Sequence, residues 1–397
     1  MTAPLTLHWF LPTSGDSRGL VGAGQGVPKD VTSGLAETLG PGRGEGSVRE
    51  LFRPPTIDYL AEVARTAERL GFTGVLTPTG TFCEDAWLTT AALVRETTRL
   101  RFLVAFRPGV VNPVLAAQMA ATYQRISDGR LMLNVVTGGE PVEQARFGDT
   151  APKDERYART DEFLEVVRGT WGQAPFDFDG THYRAEGALV SGGIDPLPPI
   201  YFGGSSAAAG PVAARHADVY LTWGEPPEQV AEKVAWIRGL AAEQGRTLRF
   251  GLRVHTLSRD TSEEAWRHAQ WLLDGVDPAT VEAAQAAQAR SESTGQQRMN
   301  ALRRAGTAYS SARELEVSPG LWSGVGLVRG GAGTSLVGSH EEVADLIEAY
   351  HRVGIDELVL SGYPHVEEAS WFAEGVMPHL RRRGLLDDLP EPARASA

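Results

Sequence analysis

Short apolar runs alternate along most of this chain with longer segments whose apolar residues recur every three or four positions. The longer pattern is typical of a helix with one buried face, and the short runs are typical of buried strands. The clearest helix covers residues 57–70, where Thr56 is placed to cap the first turn and Gly71 to end the last one. The alternation predicts repeated strand-helix units.

Eight apolar runs have the length and composition of buried strands, and each is followed by a helical segment. No Gly-x-Gly-x-x-Gly fingerprint for a dinucleotide lies between a strand and a helix. The pattern therefore favours an α/β fold, a (β/α)8 TIM barrel with insertions, over an open doubly wound sheet. The predicted strands are residues 5–11, 75–76, 101–105, 131–136, 199–202, 219–222, 249–255 and 358–360.

We expect one barrel domain over residues 1–384, interrupted by three insertions. Residues 14–55 are rich in Gly and Pro and predict a long surface loop that could fold over the barrel mouth, and residues 174–198 predict a β-hairpin around an Asp-Gly turn. Residues 276–321 begin with helical sequence and become polar. Loops this long in a compact enzyme are often lids. Residues 385–397 predict a flexible tail.

Composition narrows the class of protein. The chain has 397 residues, 42% of them hydrophobic, and a formal net charge of −12, which argues against a nucleic acid or an anionic membrane as partner. Its one cysteine, Cys83, excludes an intramolecular disulfide. The first residues lack the basic head and apolar core of a signal peptide, and no apolar run has membrane-spanning length. We therefore expect a cytoplasmic protein.

Polar side chains stand where several predicted strands end. Arg253 and His255 close one strand, Tyr363 and His365 follow the last one, and Arg329 precedes a glycine-rich turn. In a parallel barrel this edge carries the chemistry, and the set suits an anionic substrate and a proton transfer. Taken singly, each arginine suits a structural ion pair as well. Their convergence at one barrel face favours a site.

The turn Gly203-Gly204-Ser205-Ser206 follows a predicted strand and precedes an alanine-rich helix. Bare amides and two hydroxyls at a helix N-terminus suit a phosphate group, although the same residues also suit an ordinary turn and cap. Both interpretations remain open from these residues. No set of His, Cys, Asp and Glu has metal-ligand spacing, so no metal is predicted.

The order of motifs resembles the FMNH2-dependent alkanesulfonate monooxygenases of the bacterial-luciferase-like flavin superfamily. The resemblance extends from residue 5 to about residue 380. The segments that carry it are Trp9-Phe10-Leu11-Pro12-Thr13, Pro78-Thr79-Gly80, Cys83-Glu84-Asp85-Ala86-Trp87, Asn134-Val135-Val136-Thr137-Gly138, Tyr201-Phe202-Gly203-Gly204-Ser205-Ser206, Leu221-Thr222-Trp223-Gly224-Glu225-Pro226-Pro227, Gly295-Gln296-Gln297-Arg298-Met299 and the three segments around Arg253, Arg329 and Tyr363.

This resemblance implies a two-component enzyme. Reduced FMN would come from a separate NAD(P)H-dependent FMN reductase and, with O2 as co-substrate, would oxidise the carbon-sulfur bond of an organosulfonate to give sulfite and an aldehyde. The absence of a dinucleotide fingerprint agrees with reduction elsewhere. A homo-oligomer, dimer or tetramer, is implied by the resemblance only.

The family pattern also implies roles for individual residues. Cys83 suits a small buried apolar group or, alternatively, a thiol that hydrogen-bonds near the flavin. Asn134 suits a flavin contact or a satisfied strand-end amide. The implied roles are catalytic for His255, Tyr363, His365 and Cys83, substrate-binding for Arg253, Arg329 and Trp223, and cofactor-binding for Asn134, Thr137, Tyr157, Gly204, Ser205 and Ser206.

The chain departs from the family pattern near the expected substrate entrance. Phe82 precedes Cys83 where relatives often have a basic residue, and the 14–55 loop is unusually long. Phe82 favours apolar bulk, whereas the polar loop suits a larger hydroxylated sulfonate. The sulfonate and the acid or base are therefore not assigned.

Two other functions compete with this one. A deazaflavin-dependent oxidoreductase of the same superfamily would not need Arg253 and Arg329 for a sulfonate. A non-catalytic flavin-binding barrel would have no reason to combine His255, Tyr363 and His365.

Overall fold

The computed structural model describes residues 4–21, 52–303, 306 and 309–388. Eight parallel strands close into a barrel in the order β1-β4-β5-β6-β9-β10-β11-β15, with β15 pairing back to β1. Each overlaps one of the eight predicted runs, so the predicted barrel is confirmed. The strands are β1 Thr6–Phe10, β2 Asp16–Ser17, β3 Phe52–Arg53, β4 Gly74–Thr77, β5 Arg101–Phe106, β6 Leu131–Val135, β7 Phe176–Asp179, β8 Arg184–Ala188, β9 Ile200–Phe202, β10 Val219–Trp223, β11 Arg249–Arg259, β12 Glu316–Ser318, β13 Leu321–Trp322, β14 Ser335–Ser339 and β15 Glu357–Ser361.

Helices surround the barrel. The first begins and ends as its caps predict, since the Tyr59 N–H donates to Thr56 Oγ1 (3.3 Å) and Gly71 has a left-handed φ of 93°. The helices are α1 Ile57–Leu70, α2 Ala86–Leu93, α3 Pro113–Ser127, α4 Pro141–Arg146, α5 Lys153–Thr170, α6 Ala209–His216, α7 Pro227–Glu243, α8 Ser262–Asp274, α9 Pro278–Ala289, α10 Thr294–Ala301, α11 His340–Arg352, α12 His365–Trp371 and α13 Met377–Arg382. No helix in the described ranges is both long and apolar enough to cross a membrane.

The barrel interior is apolar across its middle and polar at its carboxyl end. A separate apolar shell fills the space between strands and helices. Each fully buried Leu, Val or Phe side chain contributes about 1.5–3 kcal/mol relative to exposure, so these two layers fix the strand ends from which the polar side chains project. The interior plug consists of Phe10, Leu76, Leu103, Met132, Tyr201, Val219 and Val359.

Strand β11 is long enough to pair with β14 in addition to its barrel neighbours β10 and β15. Its first half pairs with β15, and its last five residues, from His255 to Arg259, pair with β14. Strands β12 to β14 extend this sheet outside the barrel, and the sequence patterns do not predict them. Residues Gly324–Leu327, directly before Val328 and Arg329, form a 3-10 helix. The extension therefore brings the Arg329 turn against the carboxyl end of β11.

The described parts of the insertions lie around the barrel. Strands β2 and β3 join the two ends of the first insertion, whose residues 22–51 lie outside the described ranges. Residues 176–188 form the predicted hairpin, and α9 and α10 belong to the third insertion.

The expected start of a flexible tail at residue 385 is wrong. The Leu5 N–H donates to the Leu385 carbonyl at 2.8 Å, and Leu385 and Leu386 pack against the core, because this apolar pair follows directly on α13. Residues 389–397 of the predicted tail lie outside the described ranges.

Candidate active site

Arg253 is a cation at the top of the barrel interior. Its guanidinium donates to the Val254 and Val359 carbonyls (3.0 and 3.4 Å) and to Ser361 Oγ (2.9 Å), and it lies 4.8 Å from the centre of the Phe10 ring. All three hydrogen-bond acceptors are uncharged. Burial lowers the pKa of Arg253 to about 9. Since a buried charge is costly without a counter-charge, an anion could bind beside this side chain.

His255 holds Arg253 in place through Ser361. The ring atom Nε2 lies 3.0 Å from the Ala332 carbonyl, which can only accept, so Nε2 carries the proton. The other nitrogen, Nδ1, then accepts from Ser361 Oγ at 2.7 Å, and the same oxygen accepts from Arg253. Burial and the neighbouring cations hold the pKa of His255 well below its ordinary value. This neutral imidazole orients the arginine and has both nitrogens engaged.

Arg329 lies over the ring of Tyr363, which in turn stacks on His255. The Arg329 guanidinium lies 5.1 Å from the centre of the Tyr363 ring, which lies 5.4 Å from the His255 ring at an angle of 27°. Burial and, secondarily, the charge of Arg253 lower the pKa of Arg329 to about 9. The Tyr363 hydroxyl is buried and has no hydrogen-bond partner among the described residues. A buried hydroxyl of this kind is available to a ligand.

His365 is paired with a carboxylate that the sequence patterns do not identify. Its Nδ1 lies 2.8 Å from Asp16 Oδ1, and its backbone N–H donates to Asp16 Oδ2 at 2.8 Å. The Tyr59 hydroxyl and the Ser17 N–H donate to the same carboxylate. Burial opposes ionisation of Asp16, but His365 and Tyr59 outweigh it and lower its pKa. The buried Nε2 of His365 has no partner within the described ranges.

Cys83 lies in the loop after β4 as a half-buried thiol. Its Sγ lies 3.5 Å from the Gly80 carbonyl and 3.7 Å from the Pro78 carbonyl. Burial raises the pKa of Cys83 to about 12. The thiol therefore remains protonated near neutrality and is suited to donate a hydrogen bond, not to act as a nucleophile.

Alkylation of Cys83 by iodoacetamide at pH 8.5 is expected to be at least about tenfold slower in the native protein than in urea, because only the thiolate reacts. Since this is the one cysteine of the chain, intact mass measured over time reports it directly. Equal rates in the native and unfolded protein would contradict a protonated, half-buried thiol.

The glycine-rich turn between β9 and α6 has two positions without a side chain, where the backbone packs closely against its neighbours. A Cβ on Gly203 would lie 2.6 Å from the Leu221 carbonyl oxygen, and one on Gly204 would lie 2.6 Å from the Ala209 Cβ and 3.1 Å from the Tyr157 hydroxyl. Helix α6 begins without a side-chain cap at its N-cap position. Close backbone approach and a helix N-terminus fit a phosphate group.

Hydroxyl groups surround this turn. Ser206 Oγ accepts from the Ala209 N–H at 3.3 Å, and its hydrogen bond with Tyr157 partly offsets the burial that raises the pKa of Tyr157. Ser205 has the same effect on Tyr220, whose hydroxyl donates to the Gly204 carbonyl at 2.6 Å. Uncharged donors around bare amides suit the phosphate end of FMN.

Asn134, Thr137 and Trp223 lie at the same rim but outside the histidine and arginine cluster. Asn134 is near the end of β6, and Thr137 Oγ1 lies 3.3 Å from Thr160 Oγ1. Trp223 ends β10 opposite Arg253. A Cβ added to Gly295 would lie 3.0 Å from the Trp223 ring, so this ring packs against the start of α10. These three side chains and the cluster of histidines and arginines thus occupy neighbouring parts of the carboxyl-end rim.

Helix α10 is fastened over this rim by polar contacts. Arg298 Nη2 lies 2.6 Å from Glu225 Oε2, and Glu225 Oε1 accepts from Lys233 Nζ at 2.8 Å. The Gly331 N–H donates to Gln296 Oε1 at 2.7 Å, which joins α10 to the turn after Arg329. Local sequence does not predict these pairs, because each depends on tertiary contacts between distant segments.

The fold and the site define a class of protein: a (β/α)8 barrel with a glycine-rich turn before a helix and two buried arginines at its carboxyl-end rim. The profile described as luciferase-like monooxygenase matches residues 33–357, and the chain belongs to this family.

Solved structures with the same fold cover nearly all or most of the chain. A long-chain alkane monooxygenase is 19% identical, with a TM-score of 0.75 over 99% of this chain and 94% of that one. A riboflavin lyase with modified FMN and substrate riboflavin is 21% identical, with a TM-score of 0.75 over 98% and 94%. An F420-dependent secondary alcohol dehydrogenase is 18% identical, with a TM-score of 0.60 over 83% and 96%. At these identities the comparisons establish the fold.

Proposed function

We propose that this protein is a reduced-FMN-dependent monooxygenase that releases sulfite from an organosulfonate. The observation that carries the proposal is Arg253, a buried guanidinium whose hydrogen bonds go to uncharged acceptors, with Arg329 in the same aromatic cluster. A sulfonate is ionised at every physiological pH. It can accept charge-assisted hydrogen bonds from both guanidinium groups, and guanidinium groups are common donors to such anions.

The glycine-rich turn suits FMN, which has one phosphate group, better than a dinucleotide. The bare amides at Gly203 and Gly204 and the hydroxyls of Ser205, Ser206 and Tyr157 fit one phosphate group. Reduced FMN, when bound, would supply two electrons to O2, for a balanced reaction in which R-CH2-SO3⁻, O2 and FMNH2 give R-CHO, HSO3⁻, FMN and water. The structure of riboflavin lyase with modified FMN supports this choice by analogy of fold.

The side chains of this protein would bind, orient and move protons. Arg253 and Arg329 would hold the sulfonate oxygens, and the neutral His255 would fix Arg253 through its hydrogen bond to Ser361. The Tyr363 hydroxyl would donate to an oxygen at the reacting carbon, since it is buried without a partner among the described residues. Helix α10 would exclude water from the rim.

A separate NAD(P)H-dependent FMN reductase, a homo-oligomeric state and a cytoplasmic location complete the proposal. The reductase is required because reduced FMN must be made elsewhere when the chain has no dinucleotide fingerprint.

Sulfite release tests the proposal. Purified protein with FMN, a flavin reductase, NADH and air is expected to release sulfite from at least one of short-chain, long-chain and sugar-derived sulfonates, and a reaction without the protein is the control. Binding of reduced FMN and of a reduced deazaflavin is measured in parallel, without oxygen. Deazaflavin binding with hydride transfer would favour the deazaflavin enzyme, and FMN binding without turnover of any sulfonate would favour the binding protein.

A further inference from the structure

The two histidines of the site have opposite hydrogen-bonding arrangements. His255 carries its proton on Nε2, which faces the Ala332 carbonyl, and its Nδ1 accepts from Ser361. His365 faces the Asp16 carboxylate with Nδ1 at 2.8 Å, and a carboxylate that is ionised can only accept. Nδ1 of His365 must therefore carry a proton. Its Nε2 is left buried and without a partner among the described residues.

We propose that Asp16 is a positioning residue that fixes the proton on Nδ1 of His365 and leaves Nε2 as the atom that exchanges a proton with the substrate. The carboxylate binds both the ring and the backbone N–H of His365, so it sets the rotation of the ring as well as its tautomer. The charge of Asp16 also acts on Arg329, where it partly offsets the lowering of the pKa. The exchange of a proton rests on the proposed function, whereas the tautomer does not.

Asp16 is the charged partner of His365, because the other side chains around the ring are aromatic or have other partners. Phe10 from β1 packs on the ring with centroids 5.7 Å apart, and Tyr363 meets it edge-on at 5.5 Å. The carboxylates of its own helix are engaged elsewhere, with Glu367 on Arg53 and Glu368 on Arg259. The other titratable or charged groups on this side are Tyr59, which donates to Asp16, and His255, Arg253 and Arg329 toward the barrel.

Asp16 also links the first insertion to the site. It lies on β2, which pairs with β3 at the other end of that insertion, and its carboxylate accepts from Tyr59 of α1. Three separate parts of the chain therefore converge on one buried carboxylate.

The experiment compares Asp16→Asn with the wild type by nitrogen-15 NMR of the histidine rings, with the His365 signal assigned from its loss in His365→Gln. In the wild type we expect a proton on Nδ1 of His365. An asparagine amide can accept from Nδ1 or donate to it, so Asp16→Asn is expected to relax this preference. The matched control is Glu367→Gln, which removes a half-exposed carboxylate two residues along the same helix and is expected to leave the tautomer unchanged.

Kinetics supply the second measurement. Asp16→Asn is expected to lower kcat at least about tenfold with KM within about threefold, and to change the shape of the pH profile of kcat. It is expected to add no further loss in the His365→Gln background. A wild-type His365 without a proton on Nδ1 would overturn the proposal, whether or not Asp16→Asn folds. A loss of kcat by the same factor at every pH would also overturn it. Absence of sulfite from the wild type, with the Nδ1 proton present, would instead count against the proposed function.

Discussion

Arg253→Met is expected to reduce kcat/KM for sulfite release by roughly 10- to 150-fold, the equivalent of a charge-assisted hydrogen bond worth about 1.5–3 kcal/mol. Methionine has a similar length and fills the space above Phe10 without a charge. Replacing a buried cation by an apolar side chain is often neutral or stabilising, so the fold should persist. The measurement is initial sulfite release against sulfonate concentration, together with the thermal unfolding midpoint.

The control for this variant is Arg267→Met on α8. Arg267 is exposed and pairs with Glu263 one turn away, so the substitution removes the same charge from the surface. Sulfite release by this control should match the wild type. If Arg253→Met kept the wild-type kcat/KM, Arg253 would not belong to the anion site. A large drop in the unfolding midpoint would assign Arg253 a structural role.

The barrel strands could be predicted because each combines a continuous apolar run with a helical pattern after it. The run at 219–222 is an example, since Val219 and Tyr220 are both buried in the observed strand β10. Strand β14, with the sequence Ser-Leu-Val-Gly-Ser, is not among the predicted runs, although its Leu-Val pair is as long as the predicted run at 75–76. It forms a strand because β11 continues beyond the barrel and offers an unpaired edge. That information is tertiary and is absent from any local window.

The residues of the candidate site likewise divide into those that the sequence predicts and those that it does not. Tyr363 follows the end of β15, and Arg253 and His255 end the part of β11 that pairs with β15, so the rule that parallel strands end at one barrel rim is enough to place them together. Asp16 lies in a glycine-rich insertion without periodicity, and its partner His365 is 349 positions away. The role of His255 likewise depends on Ala332 and Ser361, which reach it from two other segments. Sequence position identifies the residue types, but hydrogen-bond partners decide which histidine can exchange a proton.

Glu225→Ala is expected to lower the free energy of unfolding by about 3–5 kcal/mol, because it breaks a buried ion pair and leaves a charge uncompensated. Glu225 is fully buried, and Lys233, whose side chain is 5% exposed, would lose its carboxylate. The same change releases Arg298, so α10 loses a fastening to the barrel. Denaturant unfolding measures the first effect, and limited proteolysis followed by mass spectrometry measures cleavage within residues 276–303.

The control for Glu225→Ala is the double variant Glu225→Leu with Lys233→Met, which removes both buried charges and is expected to recover most of the lost stability. The wild type should also show a pH dependence that these variants lack. Burial opposes ionisation of Glu225, but Arg298 and Lys233 together lower its pKa below the ordinary 4.5. Its contribution is therefore complete above pH 4.5 and disappears as pH falls through the lowered pKa. Equal denaturant midpoints for Glu225→Ala and the wild type at pH 7 would show that this carboxylate does not hold α10 on the barrel.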